Sequence, residues 1–403
     1  MATLRPIRSL LISVAVARSS VMLFPFYGAY LAVTRDELSP AAIGLVIGAF
    51  GVGALGADLV VSRLTRRWSE HTVAVYGLVG VAVAVLAVAV VPGHWPLVAT
   101  TAVWGFSYEL MNPVSYTMVA RTMPDSQRRF AFAAVRLAVN VGMGIGPVIA
   151  GVLFKVAPSL LVWGTAGGYL AAAAILALSR PVGGNAQVEV PEDVSVDRED
   201  RLDERRFWWF FASIMPILLA YALPSTVMSI YVIQKLGFSP IWVSAIFATN
   251  SLMVITCELA LNHAMNHWRR RTTLLTGYAC ALAGFALMGF AGNPWMLILG
   301  TAGWTLGEMI TFPAMLDHIS AVSPARLRAR NIGLYAAGFN IGILVAPLLF
   351  LPLLAVTGAG TSWLVVAGVV ALGLVAVATL SSVRNLWTSD QADNQLVTSG
   401  NTT

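Results

Sequence analysis

The sequence predicts an all-α integral membrane protein with twelve transmembrane helices in two pseudo-symmetric six-helix bundles. Three observations predict this. Of 403 residues, 58% are hydrophobic and only 11% charged, whereas soluble domains carry about 25% charged residues. The apolar runs reach the ~20 residues that cross a hydrocarbon core. The second half of the chain repeats landmarks of the first at a constant shift of 200 residues.

In lipid the backbone must satisfy its own hydrogen bonds, so each run reads as a helix. The runs lie at roughly 10–33, 41–64, 72–92, 96–120, 130–154, 159–179, 208–233, 240–264, 272–292, 295–318, 331–355 and 361–383. The first follows the basic start "MATLRPIRSLLIS". It is too long for a signal-peptide core and has no evident cleavage site, so an uncleaved helix is expected. Residues 1–180 then make the first bundle and 207–384 the second. Between them, residues 181–206 are polar, acid-rich and without apolar period, which predicts a cytoplasmic linker with room for a short amphiphilic helix. Residues 385–403 read as a disordered cytoplasmic tail.

The net charge of +6 does not require a nucleic-acid partner. With a cytoplasmic N-terminus, the inside segments hold Arg5, Arg8, Arg63, Arg66, Arg67, Arg121, Arg128, Arg129, Arg180, Arg198, Arg201, Arg205, Arg206, Arg269, Arg270, Arg271, Arg326, Arg328, Arg330 and Arg384. The outside loops hold Arg35, Lys155 and Lys235. This is the positive-inside pattern, and it places both termini in the cytoplasm of a multi-pass protein of the cell (inner or plasma) membrane. Trp68, Trp95, Trp208, Trp209, Trp242, Trp268, Trp295 and Trp363 fall near helix ends, where indole rings favour the interface. Cys257 and Cys280 lie inside helices, so neither a disulfide framework nor a metal cluster is implied.

The repeat is carried by paired landmarks. Ser39-Pro40 matches Ser239-Pro240, and "TAVW" from Thr101 matches "TAGW" from Thr301. Pro113, Pro124, Arg128, Asn140, Gly142 and Pro147 match Pro313, Pro324, Arg328, Asn340, Gly342 and Pro347. Internal symmetry of this kind marks transporters, whose sites lie at the repeat interface near the bilayer midplane.

Several motifs resemble the major facilitator superfamily. "DLVVSRLTRR", Asp58 to Arg67, is similar to the family's Gly-x-x-x-Asp-Arg-x-Gly-Arg-Arg, with Ser62 in place of Asp and Thr65 in place of the second Gly. Asp58 stands one turn earlier, and the shift pairs it with Glu258 above the degraded "NHAMNHWRRR". "NVGMGIGPVIAG", from Asn140, resembles the Gly-Pro motif of the drug–proton antiporter branch. "SPARLRARNIGLYAAGFNIG", from Ser323, is similar to the loop between helices 10 and 11, and "ARSSVMLFPFYGAYL", from Ala17, looks like an exporter helix 1. The helix-4 arginine usual in proton-coupled branches is absent near Thr101. The resemblance implies a major facilitator fold, kinship with multidrug efflux, and a cavity lined by helices 1, 4, 7 and 10.

Seven ionisable residues fall in or beside helices: Arg18, Asp58, Glu109, Arg136, Glu258, Glu308 and Asp317. An intramembrane charge costs about 2.5–3.5 kcal/mol or more, so each is a functional candidate by default. Asp58 and Glu258, with Arg63, Arg66, Arg67 and Arg136, suit an inside gate; a static interface salt bridge is the blander alternative. Asp317 reads as solvated. Glu109 has Arg18 as its expected partner, through either a fixed cavity charge or a structural ion pair. Glu308 has no basic residue at similar depth, and desolvation favours the neutral acid, so it is the expected proton carrier alongside Glu109. Its alternative is a permanently neutral, hydrogen-bonded acid. Trp304 is one turn before Glu308, and an aromatic face suits a lipophilic cation. Arg18, Tyr27, Tyr30, Trp104, Tyr108, Asn112 and Trp304 form the expected substrate cavity, with Tyr116 and Asn250 as further polar candidates.

No Walker loop, dinucleotide turn, zincin helix or nucleophile elbow is present. The reading is therefore a transporter, not an enzyme, with no cofactor and no metal, expected to act as a monomer on a small-molecule substrate and protons in the lipid bilayer. It predicts proton-coupled export of small organic, cationic or amphipathic compounds. A nutrient symporter or facilitator for a sugar or organic acid, held by Arg18, is the first alternative. A non-transporting receptor or scaffold is the second, and has little use for buried acids.

Overall fold

The structure is a computed structural model, described here for residues 2–179, 198–265, 267–324 and 327–380. The helices are α1 (Arg8–Ser19), α2 (Leu23–Thr34), α3 (Pro40–Arg67), α4 (Glu70–Val90), α5 (His94–Glu109), α6 (Met111–Thr122), α7 (Asp125–Val156) and α8 (Ser159–Ala177) in the first half. The second half holds α9 (Arg198–Ser229), α10 (Ile241–Ala264), α11 (Arg270–Gly289), α12 (Pro294–Val322), α13 (Arg328–Thr357) and α14 (Ala359–Leu380). Taken together, α1 with α2 and α5 with α6 each make one span, which leaves the twelve expected among the described residues. A 3-10 turn (Ala2–Ile7) precedes α1, and a π-helical turn (Ile230–Lys235) ends α9.

Two expected helices are interrupted, each within a turn of a proline. Pro25 has no N–H for the Val21 carbonyl, and the first span breaks between Ser19 and Leu23. Pro113 has no N–H for the Glu109 carbonyl, and the fourth span is interrupted at Leu110. Pro313, the repeat partner of Pro113, leaves α12 unbroken; the Met309 carbonyl four residues earlier accepts from Asn262 Nδ2 at 3.4 Å. The expected linker also differs. Helix α9 starts at Arg198, inside the polar segment, and runs on into the seventh span. The earlier part of the linker and the tail after Trp387 lie outside the described residues.

The first break rests on small residues of neighbouring helices. The Leu23 N–H donates to Thr165 Oγ1 at 3.0 Å, and Ser20 Oγ donates to the Val16 carbonyl at 2.7 Å. On α7, a side chain at Gly142 would come within 2.5 Å of Arg18 Cβ, and one at Gly146 within 2.9 Å of the Ser19 carbonyl. The Gly-Pro stretch of α7 thus serves as the flat surface on which the broken first span sits.

The halves meet through α3 with α13, α7 with α10, and α2 with α9 and its π-helical end. On α3, Gly44, Gly48 and Gly51 share one face, and Cβ atoms there would lie 2.5–2.7 Å from the backbone of Pro347 or Leu344. Ser244 Oγ donates to the Pro147 carbonyl at 2.6 Å, beside Gly151. All these contacts lie in the helix halves distant from Arg63, Arg66, Arg67 and Arg328. At the arginine-rich end, α1 and α6 make no extended contact with the second half among the described residues. The molecule is closed at one face and parts toward the arginine-rich face.

Trp68, Trp95, Trp208, Trp209, Trp268 and Trp295 are exposed, as interfacial rings should be. Trp363 is a correction: it is fully buried, stacked on Phe285 and packed against Tyr231 and Phe350. The turn at Gly358, with φ of +84°, brings the start of α14 straight back into the bundle.

Gly51→Leu is expected to wedge the closed face open, because the obstacle is the Leu344 backbone and not a movable side chain. Overpacking of this kind costs about 1–3 kcal/mol. Spin labels on the outer ends of α3 and α13 should report a longer mean distance in the variant than in the wild type.

Candidate functional site

The α1–α2 break and the α5–α6 interruption bring one polar group together. The Arg18 guanidinium is buried and donates to Tyr108 Oη and to Asn112 Oδ1. It also lies over the Tyr108 ring, 4.6 Å from the centroid. Asn112 Nδ2 then donates to Glu109 Oε1 at 3.0 Å. The expected direct pairing of Arg18 with Glu109 is thus corrected: an asparagine, three residues on from Glu109 and across the α5–α6 interruption, stands between them. Asn112 can do this because its amide accepts from the cation and donates to the carboxylate.

Aromatic residues fix this group from one side. Trp104 is buried with its ring edge-on to Phe24, Tyr27 and Phe50, at 5.7, 5.3 and 5.6 Å. Phe50 reaches Tyr108 at 5.4 Å, and Tyr27 shares a 2.7 Å hydrogen bond with Thr101. Tyr27 and Trp104 are therefore packed within the first half in this conformation, and Tyr30 is buried as well, so none of the three lies at an open surface. Tyr116, half a helix away, is exposed against Phe132.

In the second half, Glu308 of α12 accepts from Asn250 Nδ2 of α10 at 2.9 Å. The same amide reaches Thr305 Oγ1 at 3.1 Å. No ion pair to Glu308 exists among the described residues. Trp304 does not join it: the ring is buried and stacks parallel on Phe285 at 6.2 Å, inside the half. The one-turn spacing of Trp304 and Glu308 aligned them on one helix but did not decide which neighbour each would meet. Glu109 and Glu308 are both part-buried, so each keeps some reach to solvent or solute.

The gate candidates separate. Asp58 Oδ2 accepts from Asn340 Nδ2 across the halves at 2.9 Å. Arg136 pairs with Glu258, also across the halves. Neither Arg63 nor Arg66 meets Asp58; with Arg67 they are exposed at the end of α3. This corrects the expected cluster, since the basic residues lie one to two turns farther along α3. Asp317 is half solvated, as expected, but also pairs with Arg270 at 2.6 Å. Sequence reasoning missed the 2.5 Å pair of Arg121 with the buried Glu70, which ties the ends of α4 and α6. It also missed Asn340 as a partner; the shift pairing Asn340 with Asn140, one turn from Arg136, was the available signal.

Asn112→Leu removes the bond to Glu109 and one of the two from Arg18, which keeps Tyr108. Hydrogen bonds to charged groups contribute about 1.5–3 kcal/mol, and the unfolding free energy in mixed micelles should fall by about that much. Tyr108→Leu should lose the cation–π contact as well as a hydrogen bond, whereas Tyr108→Phe should retain the ring and lose less. Reversible denaturant titrations check the order.

A profile of the Major Facilitator Superfamily matches residues 10–347 and 210–398. The MFS-type transporter Rv0849 of Mycobacterium tuberculosis is 24% identical over 384 residues, covering 89% of this chain and 88% of its own. YttB of Bacillus subtilis, another MFS-type transporter, is 23% identical over 264 residues, 63% of this chain and 64% of its own length. Among solved structures, a peptide transporter POT in complex with sulfate aligns with a TM-score of 0.80 at 14% identity, over 95% of this chain and 96% of that one. The nucleoside transporter NupG aligns with a TM-score of 0.77 at 15% identity, over 94% and 99%. These likenesses establish the fold, and the profile covers most of the length. The chain is a multi-pass membrane protein that belongs to the major facilitator superfamily of transporters.

Proposed function

We propose that this protein is a proton-coupled exporter of small organic cations, working by alternating access in the cell membrane with both termini in the cytoplasm. One observation carries the reading. Each half presents a part-buried glutamate, Glu109 or Glu308, held by an asparagine amide and by no ion pair among the described residues. Arg18, the cation beside Glu109, is buried and donates to Tyr108 and Asn112. The charge left for a solute to meet is negative. A carboxylate in so dry a site is costly unless a proton or a bound cation neutralises it. Two neutralising agents that compete for one acid give exchange.

The roles differ between halves. Glu109, coupled through Asn112 to Arg18, sets the charge of the site. Glu308, with neutral partners alone, carries the proton. The cross-half links Asp58–Asn340 and Arg136–Glu258 lie where the halves begin to part, and they act as the gate. Arg136 is largely exposed, so its pair contributes little to stability and is free to break. Uptake of an anionic nutrient on Arg18 is disfavoured because that guanidinium is neither exposed nor unpartnered.

Inverted vesicles with an imposed pH gradient and a fluorescent organic cation test the reading. Wild-type protein should accumulate the cation when the lumen is acid. Glu308→Gln should abolish the response to the gradient and keep cation binding measurable. Glu109→Gln should weaken binding, most for cationic solutes. Gradient-driven accumulation by Glu308→Gln at the wild-type rate would assign the proton to another group.

The arginine distribution supports the orientation. Reporter fusions after Arg67 should give a cytoplasmic signal and fusions after Pro92 an external one. The reverse pair of signals would invert the molecule.

A further inference from the structure

The arginine-rich face holds a cleft apart from the central carboxylates. Its volume is about 630 Å³. Arg5, Pro6, Arg8, Ser9 and Ile12, at the start of the first span, line it with Ile175 of α8. Both arginines are exposed, and neither has an ion pair or hydrogen bond among the described residues. Arg8 is the first residue of α1, directly after the 3-10 turn that carries Arg5. Ile12, one turn into the span, is 41% exposed, and Ile175 is partly exposed beside it.

These features differ from those of the other basic residues on this face. Arginines that only orient a membrane protein need no cavity. Here two unpartnered cations stand over a hollow whose deeper wall is aliphatic and lies within the spans. A phosphate ester suits the cations, and its hydrocarbon chain suits the wall. A free phosphate ion would use the first and leave the second in contact with lipid.

We propose that this cleft binds the headgroup of an anionic phospholipid, with its phosphate between Arg5 and Arg8 and an acyl chain along Ile12 and Ile175. The site is independent of the direction of transport and of what the central carboxylates bind.

Native mass spectrometry of the delipidated full-length protein in detergent tests this, with phosphatidylglycerol, phosphatidylcholine and inorganic phosphate as separate probes. Phosphatidylglycerol should be retained about tenfold better than phosphatidylcholine, the scale of attraction that one or two basic residues exert on anionic lipid. Arg5→Ala with Arg8→Ala should bring the two lipids level. Arg269→Ala with Arg271→Ala removes the same charge elsewhere on this face and should leave the preference intact. The paired Arg5→Gln and Arg8→Gln variant keeps side-chain bulk and should lose the preference too, which guards against a misfolded alanine pair. Equal retention of both lipids, or equal loss in the Arg269 and Arg271 control, overturns the site. Displacement of phosphatidylglycerol by millimolar phosphate reassigns the cleft to the free ion and overturns the lipid.

Discussion

Inside a bilayer an unpaired backbone N–H or C=O costs several kcal/mol, and that cost governs where these helices can be interrupted. The first span breaks only where α8 offers Thr165 to a free N–H and where α7 is flat enough to close over the gap. A side chain at Gly142 or Gly146 would separate the surfaces and leave the break unprotected. The break in turn sets where Arg18 lies, at the last turn of α1, against Tyr108 and Asn112. Position of the charge therefore depends on helix packing, and packing depends on satisfying the backbone.

The span count, the two halves and the broad class were legible because they follow from composition, run length and a repeat that the chain states openly. Interruptions were less so. Pro25, Pro113 and Pro313 are equally visible, yet two interrupt a span and one does not. At Pro313 the freed Met309 carbonyl meets Asn262 of another helix, and Pro147, Pro216, Pro224, Pro347 and Pro352 also lie inside unbroken helices, so a proline alone does not decide an interruption. The candidate site shows the same boundary. Sequence identified Glu109, Glu308 and Arg18 as unusual at their depth, and Asn112 only as one of several polar candidates for the cavity. It did not give the order of their bonds, because an asparagine amide can serve either charge and only the fold decides which faces it. Trp304 and Trp363 show the limit of one-dimensional placement: a helical spacing and a position near a helix end were both true, and neither fixed the neighbours.

The two halves place polar groups at related levels but bond them differently. In the first, a glutamate and its amide are neighbours on one chain segment, Glu109 with Asn112. In the second, the amide comes from α10 and the acid from α12. Movement of α10 against α12 can change the hydration and bonding of Glu308, whereas the Glu109 bond is local and spans only the short α5–α6 interruption. That difference in bonding is what the proposed division of roles between Glu308 and Glu109 rests on.

The same divergence reaches the interface between halves. Asp58 and Glu258 are repeat partners, and both look across to the opposite half. Asp58 finds an amide and Glu258 a cation one turn from the matching asparagine. One link is a bond to a neutral group on a part-buried acid; the other is a salt bridge open to water and ions. Salt screens the second more than the first, and loss of its arginine leaves a charge that water can still reach. Two acids at repeat-equivalent places thus carry different contacts, one a short-range tether to an amide and the other a salt bridge to a largely exposed arginine.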